Sequence, residues 1–298
     1  MPVASHKCQP TALLRINGED VLDYLQSQLS IDLSRLEINH VRYGLRLNIK
    51  GKTLAGMYVI KESEDQFLIL SRKTPANYLI QLLEENIVAD DVEISDKSQD
   101  FLLLTAKKEN ATAILRNLKL DLPSDHKISR NQDHICFLDS RLAHPTYSII
   151  LPSSELNFIS KITQFIEWNT FEQERISSGL IAVPEEIGPG ELPQEGKLHL
   201  QHVDFEKGCY LGQEVMARIH AMGNIRRKSL VVQTDNLLKG EFPYPLLLEG
   251  KEVGLLKSLI AKDKQILGIA IIHEKALTDL KTSGLIIKGT DAKIRLYE

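Results

Sequence analysis

Cysteine is scarce in this sequence, with only three residues, Cys8, Cys136 and Cys209, among 298. They lie far apart and form no paired motif, which argues against a disulfide framework and favours a reducing compartment. A cage for an iron–sulfur cluster normally needs about four thiolates. We therefore do not expect the chain to hold a stable cluster of its own.

Long apolar runs are absent as well. No stretch approaches the roughly 20 residues of a membrane-spanning helix, and the segment Met1–Lys7 lacks the apolar core of a signal peptide. With a net charge of −4 and a pI near 6.2, the chain has no global attraction for nucleic acid or anionic lipid. We expect a soluble, cytoplasmic protein that contacts neither a membrane nor nucleic acid directly.

Several catalytic motifs are also missing. The sequence contains no Walker loop, dinucleotide fingerprint or nucleophile elbow. His199 and His202 form an H-x-x-H pair, but the glutamate and the further ligands of a zinc protease are lacking, so we interpret them as polar loop histidines and assign no metal. His220 is a candidate base for the Cys209 thiol, a pairing that only geometry can establish.

What remains describes an ordinary globular chain, 43% hydrophobic and 26% charged, long enough for two or three structural units. Apolar periodicity predicts helices from about 19, from 75 to 86, from 111 to 118, from 153 to 168 and from 171 to 178. Strands are predicted between them, at 43–49, 53–61, 67–70, 92–94, 101–105, 135–138 and 147–151. This interleaving favours an α+β fold over regular βαβ winding.

The pattern changes after residue 224. Short strands are predicted at 229–234, 246–248, 252–259, 265–273, 285–288 and 292–297, which indicates a small barrel or sandwich. We therefore divide the chain into a region 1–223, made of two interleaved α+β subdomains, and a C-terminal β-barrel at 224–298. The proline-, glycine- and acid-rich segment Val183–Glu195 is long for a loop in a compact domain, which favours a functional role.

The most informative segment is the octet Lys207–Glu214, which reads Lys-Gly-Cys-Tyr-Leu-Gly-Gln-Glu. A thiol reacts as its thiolate, and the ammonium of Lys207 together with the free N–H groups of a starting helix would favour that anion at Cys209. The other members supply a tight turn and hydrogen-bonding groups: Gly208, Gly212, Gln213 and Glu214. The alternative is an inert cysteine in a structural turn.

The octet resembles the Lys-Gly-Cys-Tyr-x-Gly-Gln-Glu signature of the YgfZ family, folate-binding proteins related to the T-protein of the glycine cleavage system. All seven fixed positions match, and a second likeness lies near the N-terminus in three segments: Gly18–Asp20, Leu25–Ser30 with Asp32, and Leu47–Lys52. The resemblance spans most of the chain. It implies the aminomethyltransferase fold, a multidomain folate-binding ring with a small C-terminal β-barrel.

The resemblance also implies a site for tetrahydrofolate. Cys209 and Lys207 are expected to form the reactive pair, and one central pocket is expected to be lined by the binding residues: Asn48, Gly51, Glu174, Arg175, Gly208, Tyr210, Gly212, Gln213 and Glu214. Glu174 and Arg175 equally fit an exposed helical ion pair worth little. The T-proteins carry two aspartates that serve aminomethyl transfer. Here Ala55 and Gly56 replace them, so binding is expected without transfer.

The function implied by the resemblance is that of a tetrahydrofolate-binding accessory protein for the maturation or repair of iron–sulfur enzymes, including tRNA-modifying ones, and not that of a classical enzyme. Its expected partners are folate and iron–sulfur client or assembly proteins, and the chain is expected to be a monomer. Two alternatives stay open. One is a folate-dependent aminomethyl or methyl transferase of the T-protein class. The other is a structural adaptor in which Cys209 is replaceable.

Overall fold

The computed structural model describes residues 3–139, 141, 145–223, 225–238, 240–262 and 265–297. Within these ranges the chain forms two open sheets and one closed barrel, with helices packed on the sheets. This confirms the α+β class and the C-terminal barrel. The boundary expected at residues 223 and 224 stays a prediction, because residue 224 lies outside the described ranges. None of the described helices is both long and apolar enough to cross a membrane.

The elements of the first half alternate between strands and helices: β1 (Ala4–Cys8), β2 (Ala12–Asn17), α1 (Val21–Gln28), β3 (Val41–Leu47), β4 (Thr53–Lys61), β5 (Gln66–Ser71), α2 (Ala76–Glu84), β6 (Glu93–Asp96), β7 (Phe101–Lys107), α3 (Lys108–Leu118), β8 (Ile128–Arg130), β9 (Ile135–Asp139) and β10 (Thr146–Pro152).

The second half begins with short helices and ends in strands: α4 (Leu156–Ile159), β11 (Gln164–Ile166), α5 (Trp168–Ser177), α6 (His199–His202), α7 (Gln213–Met222), β12 (Arg227–Thr234), β13 (Tyr244–Leu248), β14 (Lys251–Lys262), β15 (Gln265–His273), α8 (Leu277–Thr282), β16 (Leu285–Ile287) and β17 (Lys293–Leu296). Single 3₁₀ turns occupy Ser153–Glu155, Pro193–Gly196 and Glu274–Ala276.

The first sheet is antiparallel, in the order β3-β4-β5-β2-β6. Successive residues of a strand face opposite sides, so Leu14 packs with α1 and α2 while Leu13 faces the second sheet. Both faces of the sheet are therefore covered. This explains why the run Phe67–Leu70 is apolar throughout instead of alternating.

The second sheet has the order β11-β1-β7-β10-β9-β8, and only its outer strand β11 runs parallel to its neighbour β1. The six C-terminal strands close into the barrel β12-β15-β14-β13-β16-β17. One hydrophobic core joins all three units, since Leu45 of the first sheet, Phe137 of the second and Ile269 of the barrel belong to the same buried cluster. A central cavity lies between the two sheets.

The expected long helix from 153 to 168 is wrong. Its apolar residues do recur at helical spacing, but the helical part ends at Ile159, and Gln164–Ile166 instead pairs with the edge of β1. Trp168, expected to end that helix, begins α5. Strand pairing outweighs local periodicity here, because β1 offers unpaired backbone groups along its edge.

Candidate functional site

The octet Lys207–Glu214 forms a surface loop that leads into α7. Gly212 is the residue before the helix, with φ 85°, and a Cβ at that position would come within 2.5 Å of the Asn48 carbonyl oxygen. Any other residue would therefore be strained in its backbone and would collide with the neighbouring turn. Glycine is needed here for a close approach between two segments of the chain.

Asn48 and Gly51 form the opposing turn, between β3 and β4. The side-chain oxygen of Asn48 accepts hydrogen bonds from the backbone N–H groups of Lys50 at 2.9 Å and Lys52 at 3.0 Å. Gly51 has φ 70°, and a Cβ there would lie 3.1 Å from Val215 in α7. The structure thus brings both residues against the octet. Their role as folate ligands stays a prediction.

Lys207 is buried, although it belongs to an exposed loop. Its ammonium donates to the backbone carbonyls of Gln26 at 2.6 Å, Leu29 at 2.7 Å and Ile31 at 2.8 Å. Burial lowers the pKa of Lys207 to about 8, partly opposed by the charges of Asp32 and Asp204. The ammonium is therefore hydrogen-bonded to the end of α1. With a pKa of about 8, Lys207 is still charged at neutral pH.

Cys209 is exposed, whereas Cys136 is buried and Cys8 half-buried. Burial raises the pKa of Cys8 and of Cys136, so both favour the neutral thiol. Cys209 lines an open cleft of about 570 Å³ with residues of three other segments and of its own loop: Ser27, Gln28, Ile49, Asn86 and Tyr210–Glu214. The side chain of Ile49 is 73% exposed and adds an apolar patch to this cleft.

The remaining octet residues surround the thiol in different ways. Tyr210 is buried, its hydroxyl has no hydrogen-bond partner among the described residues, and burial raises the pKa of Tyr210 to about 12. Gln213 donates to the carbonyl of Lys207 at 3.3 Å. Gly208 has open space around it, and Glu214 lies exposed in the first turn of α7, where a negative charge is favourable.

A second, narrow cavity lies between the two sheets and α5. Its volume is about 30 Å³, and its walls are aromatic and charged: Tyr43, Tyr58, Arg72, Lys73, Asp139, Arg141, Trp168, Phe171, Glu172 and Arg175. The indole of Trp168 stacks on the ring of Phe171, with centroids 4.5 Å apart. Three buried polar atoms here lack hydrogen-bond partners among the described residues: Glu172 Oε1, Arg72 Nε and Arg141 Nε.

Glu174 and Arg175 lie on α5 but in different surroundings. Arg175 is buried and donates to both carboxylate oxygens of Glu186, each at 2.9 Å, while lining the central cavity. Glu174 pairs with Lys107 at 2.9 Å on the outer side of α5, where both line another cleft, of about 410 Å³. The expected pocket shared by Glu174, Arg175 and the octet is thus distributed over three cavities, because Glu174 and Arg175 are consecutive residues of α5 and point about 100° apart around its axis.

Ala55 and Gly56 stand where the resemblance to the T-proteins implies two aspartates, and the surroundings of Gly56 leave no room for one. A Cβ built on Gly56 would collide with the hydroxyl of Tyr43 and would lie 3.0 Å from Val183. Ala55 faces the other way, into the core beneath α1 and α2. An aspartate at 56 would therefore enter the central cavity at a place that Tyr43 already fills.

The histidines of the sequence pattern lie in a helix, not in a loop. His202 is buried at the end of α6 with its ring 4.9 Å from that of Tyr43. His220 stacks on Phe205 at 4.0 Å, and its role as a base for Cys209 stays a prediction. Among the described residues, no three His, Cys, Asp or Glu side chains are grouped as metal ligands.

Sequence reasoning missed most of the central cavity. Arg72, Asp139, Arg141 and Glu172 come from three separate segments, and no motif joins them. The one available signal was Trp168, the sole tryptophan of the chain, whose large ring requires an extensive contact surface.

The overall architecture defines a class of protein. The fold is that of the glycine cleavage T-protein: the structure of aminomethyltransferase T from Bartonella henselae superposes with a TM-score of 0.80, covering 99% of this chain and 85% of that one at 14% identity. Residues 8–138 match the GCVT N-terminal domain.

Sequence comparison narrows this class. The chain is 26% identical over 216 residues to the tRNA-modifying protein YgfZ of Buchnera aphidicola subsp. Baizongia pistaciae, covering 70% of this chain and 66% of the relative. It is 25% identical to that of Escherichia coli strain SE11, covering 76% and 71%. An iron-sulfur cluster assembly factor IBA57 homolog from Mycosarcoma maydis is 24% identical, covering 72% and 53%. With the octet, these matches support a relationship of the chain to the YgfZ proteins.

Proposed function

We propose that the protein binds tetrahydrofolate and supports the maturation or repair of iron–sulfur enzymes, including tRNA-modifying ones. The printed names of its relatives, a tRNA-modifying protein and an iron-sulfur cluster assembly factor, support the second half of this proposal. The observation that carries the first half is the central cavity of a T-protein fold in which Tyr43 fills the space beside Gly56. This arrangement favours binding over group transfer. We propose a cytoplasmic monomer that acts with protein partners.

The residues of the central cavity fit a reduced folate. Glu172 Oε1 is a buried acceptor without a partner among the described residues, and it suits the N–H groups of a pterin. Trp168 and Phe171 offer aromatic faces for a planar ring, and Arg72 and Arg141 offer donor groups. When bound, tetrahydrofolate supplies a carrier for one-carbon units. Since the cavity measures about 30 Å³, we expect half-buried Trp168 to move outward on binding.

Cys209 is proposed to act on a partner at the protein surface. It is the exposed one of the three cysteines and lines a cleft that shares no lining residue with the central cavity. A transient contact with a cluster or a thiol of a client protein is therefore favoured over contact with a carbon unit on the folate. The cluster is cargo in this proposal, and the protein does not retain it.

Folate binding can be tested by calorimetry with a matched pair of variants. Glu172→Gln should weaken tetrahydrofolate binding about tenfold or more, because a buried charged acceptor is lost. Glu174→Gln, two residues away on the outer side of α5, should bind as the wild type does. If Glu174→Gln loses affinity and Glu172→Gln does not, folate occupies the outer cleft. If neither binds differently, neither cavity is the folate site.

The role of Cys209 can be tested by complementation. In a strain lacking its own YgfZ-like protein, Cys209→Ala should fold normally, because the side chain is exposed, yet should fail to restore thiomethylation of tRNA. Cys8→Ser and Cys136→Ala are the controls. Full complementation by Cys209→Ala would instead favour the structural adaptor.

A further inference from the structure

The ammonium of Lys207 sits where three backbone carbonyls converge. The oxygens of Gln26, Leu29 and Ile31 lie 2.6, 2.7 and 2.8 Å from Nζ. A lysine ammonium has three hydrogens and no acceptor, so all of its donor capacity is used by these contacts. The ring of Tyr210, 5.1 Å from Nζ, covers it further.

Gln26 lies in the last turn of α1, where a helix leaves its last acceptors unpaired, while Leu29 directly follows the helix and Ile31 lies just beyond it. In a continuing helix the N–H of Ser30 would serve the Gln26 carbonyl, but here it donates to Leu45 at 2.9 Å. The end of a helix also carries partial negative charge. Lys207 therefore supplies, from a segment far along the chain, the cation that such a helix end favours.

Two backbone hydrogen bonds extend the same contact. The N–H of Asp204 donates to the Ser30 carbonyl at 2.8 Å, and that of Leu211 donates to the Ser27 carbonyl at 3.2 Å. The loop that carries Cys209 is thus hydrogen-bonded to the end of α1 at three points, which are Asp204, Lys207 and Leu211. Between Lys207 and Leu211 the chain is exposed at Gly208 and Cys209.

We propose that Lys207 is a positioning residue, whose ammonium caps α1 and holds the Cys209 loop against it, and that it does not act by stabilising the thiolate. The charged groups that act on the ammonium are Asp32, Asp204 and Arg42. This inference rests on the proposed function only in taking Cys209 as the functional group. The test of the Lys207 proposal needs neither folate nor a client protein, so this proposal and the proposed function can fail independently.

Amide hydrogen exchange gives the decisive measurement. In Lys207→Ala, the amides of Asp204 and Leu211 should exchange about tenfold faster or more, because buried carbonyls of the end of α1 lose their donor. The amide of Leu14 in the core strand β2 is the control and should keep its protection. Equal loss at all three amides would mean that Lys207 merely contributes to global stability and would overturn the proposal.

Thiolate absorbance separates positioning from activation. Measured in proteins that also carry Cys8→Ser and Cys136→Ala, the thiolate absorbance reports Cys209 alone. We expect the same midpoint in the wild type and in Lys207→Ala. A raised midpoint in the variant, with the amides of Asp204 and Leu211 still protected, would show that Lys207 activates the thiol and positions nothing.

One further variant keeps the test decisive if Lys207→Ala fails to fold, and chemical rescue extends the test if it folds. Lys207→Arg keeps the charge, but its planar guanidinium cannot aim three hydrogens from one nitrogen, so its loop amides should also exchange rapidly. Slow exchange in this variant would overturn the proposal. In a folded Lys207→Ala, propylammonium should restore protection, whereas tetramethylammonium, which has no N–H, should not. Equal rescue by both cations would show that charge alone suffices.

Discussion

The residues around Gly56 leave no room for a side chain at this position. Tyr43 stands on the adjacent strand β3, and its ring packs edge-on against Tyr58 at 4.9 Å, so the hydroxyl that fills the space beside Gly56 has little freedom to leave. Arg141 lies over the same ring, 3.9 Å from its centre. The space beside Gly56 is therefore filled by a tightly packed tyrosine hydroxyl.

We predict that Gly56→Asp does not produce an aminomethyltransferase. The new carboxylate would meet Tyr43 and Val183, and overpacking of this kind costs about 1–3 kcal/mol of the free energy of unfolding. Denaturant unfolding and folate-dependent ammonia release from an aminomethylated carrier protein measure the two effects. Robust ammonia release by Gly56→Asp would contradict the prediction and promote the transferase alternative.

Among the elements, the loop at 183–195 fastens the barrel to the rest of the molecule. Three of its glutamates are buried, and each is paired with a cation from another element: Glu186 with Arg175 of α5, Glu191 with Lys257 of β14, and Glu195 with Arg227 of β12. Glu186 also accepts from Ser258 of the barrel at 2.5 Å. The abundance of acid in this loop thus reflects contacts between elements.

Glu186→Gln is predicted to lower the free energy of unfolding by about 1–3 kcal/mol, because the buried guanidinium of Arg175 loses the carboxylate that it contacts through two nitrogens and keeps only that of Glu172. The matched control is its neighbour Glu185→Gln, whose side chain is 52% exposed beside Lys73. An exposed pair of this kind contributes about 0–1 kcal/mol. Similar losses in the two variants, measured by denaturant unfolding, would count against a special role for the buried pair.

The sequence predicted most elements because their signals are local. The strand at 53–61 and the barrel strand at 265–273 were predicted with the observed bounds, since each is a largely apolar run flanked by polar and turn-forming residues. The strands β1 and β11 were missed, because each forms through pairing with a distant segment. The central cavity was missed for the same reason, whereas the octet, being continuous, was found.

At the scale of the whole molecule, the two segments of family likeness meet in space. The octet contacts the end of α1 through Lys207 and the turn at Asn48 through Gly212. The core common to both sheets and the barrel includes Tyr210 and Met216 of the same region. The Cys209 loop is therefore attached to the hydrophobic core that both sheets and the barrel share, which suits a group that must be presented rigidly to a partner.

His202 lies in this shared region, packed against Tyr43, and should make the fold sensitive to acid. Burial, and then the charge of Arg141, lowers the pKa of His202 to about 3 from 6.5. Between these values the unfolded chain takes up a proton that the folded state resists. The contribution of neutral His202 to the free energy of unfolding is therefore complete above pH 6.5. It is lost as the pH falls toward 3, by at most about 1.4 kcal/mol per pH unit.

We predict that His202→Gln flattens the decline in the free energy of unfolding between about pH 6.5 and pH 5, a window above the titration of most carboxylates. Its absolute stability will also change, because the ring contact with Tyr43 is lost, so the slope is the quantity to compare. His126→Gln, at an exposed position, is the control and should keep the wild-type slope. An unchanged slope in His202→Gln would place the acid sensitivity elsewhere, with the half-buried His199 as the next histidine to replace, since burial lowers its pKa too.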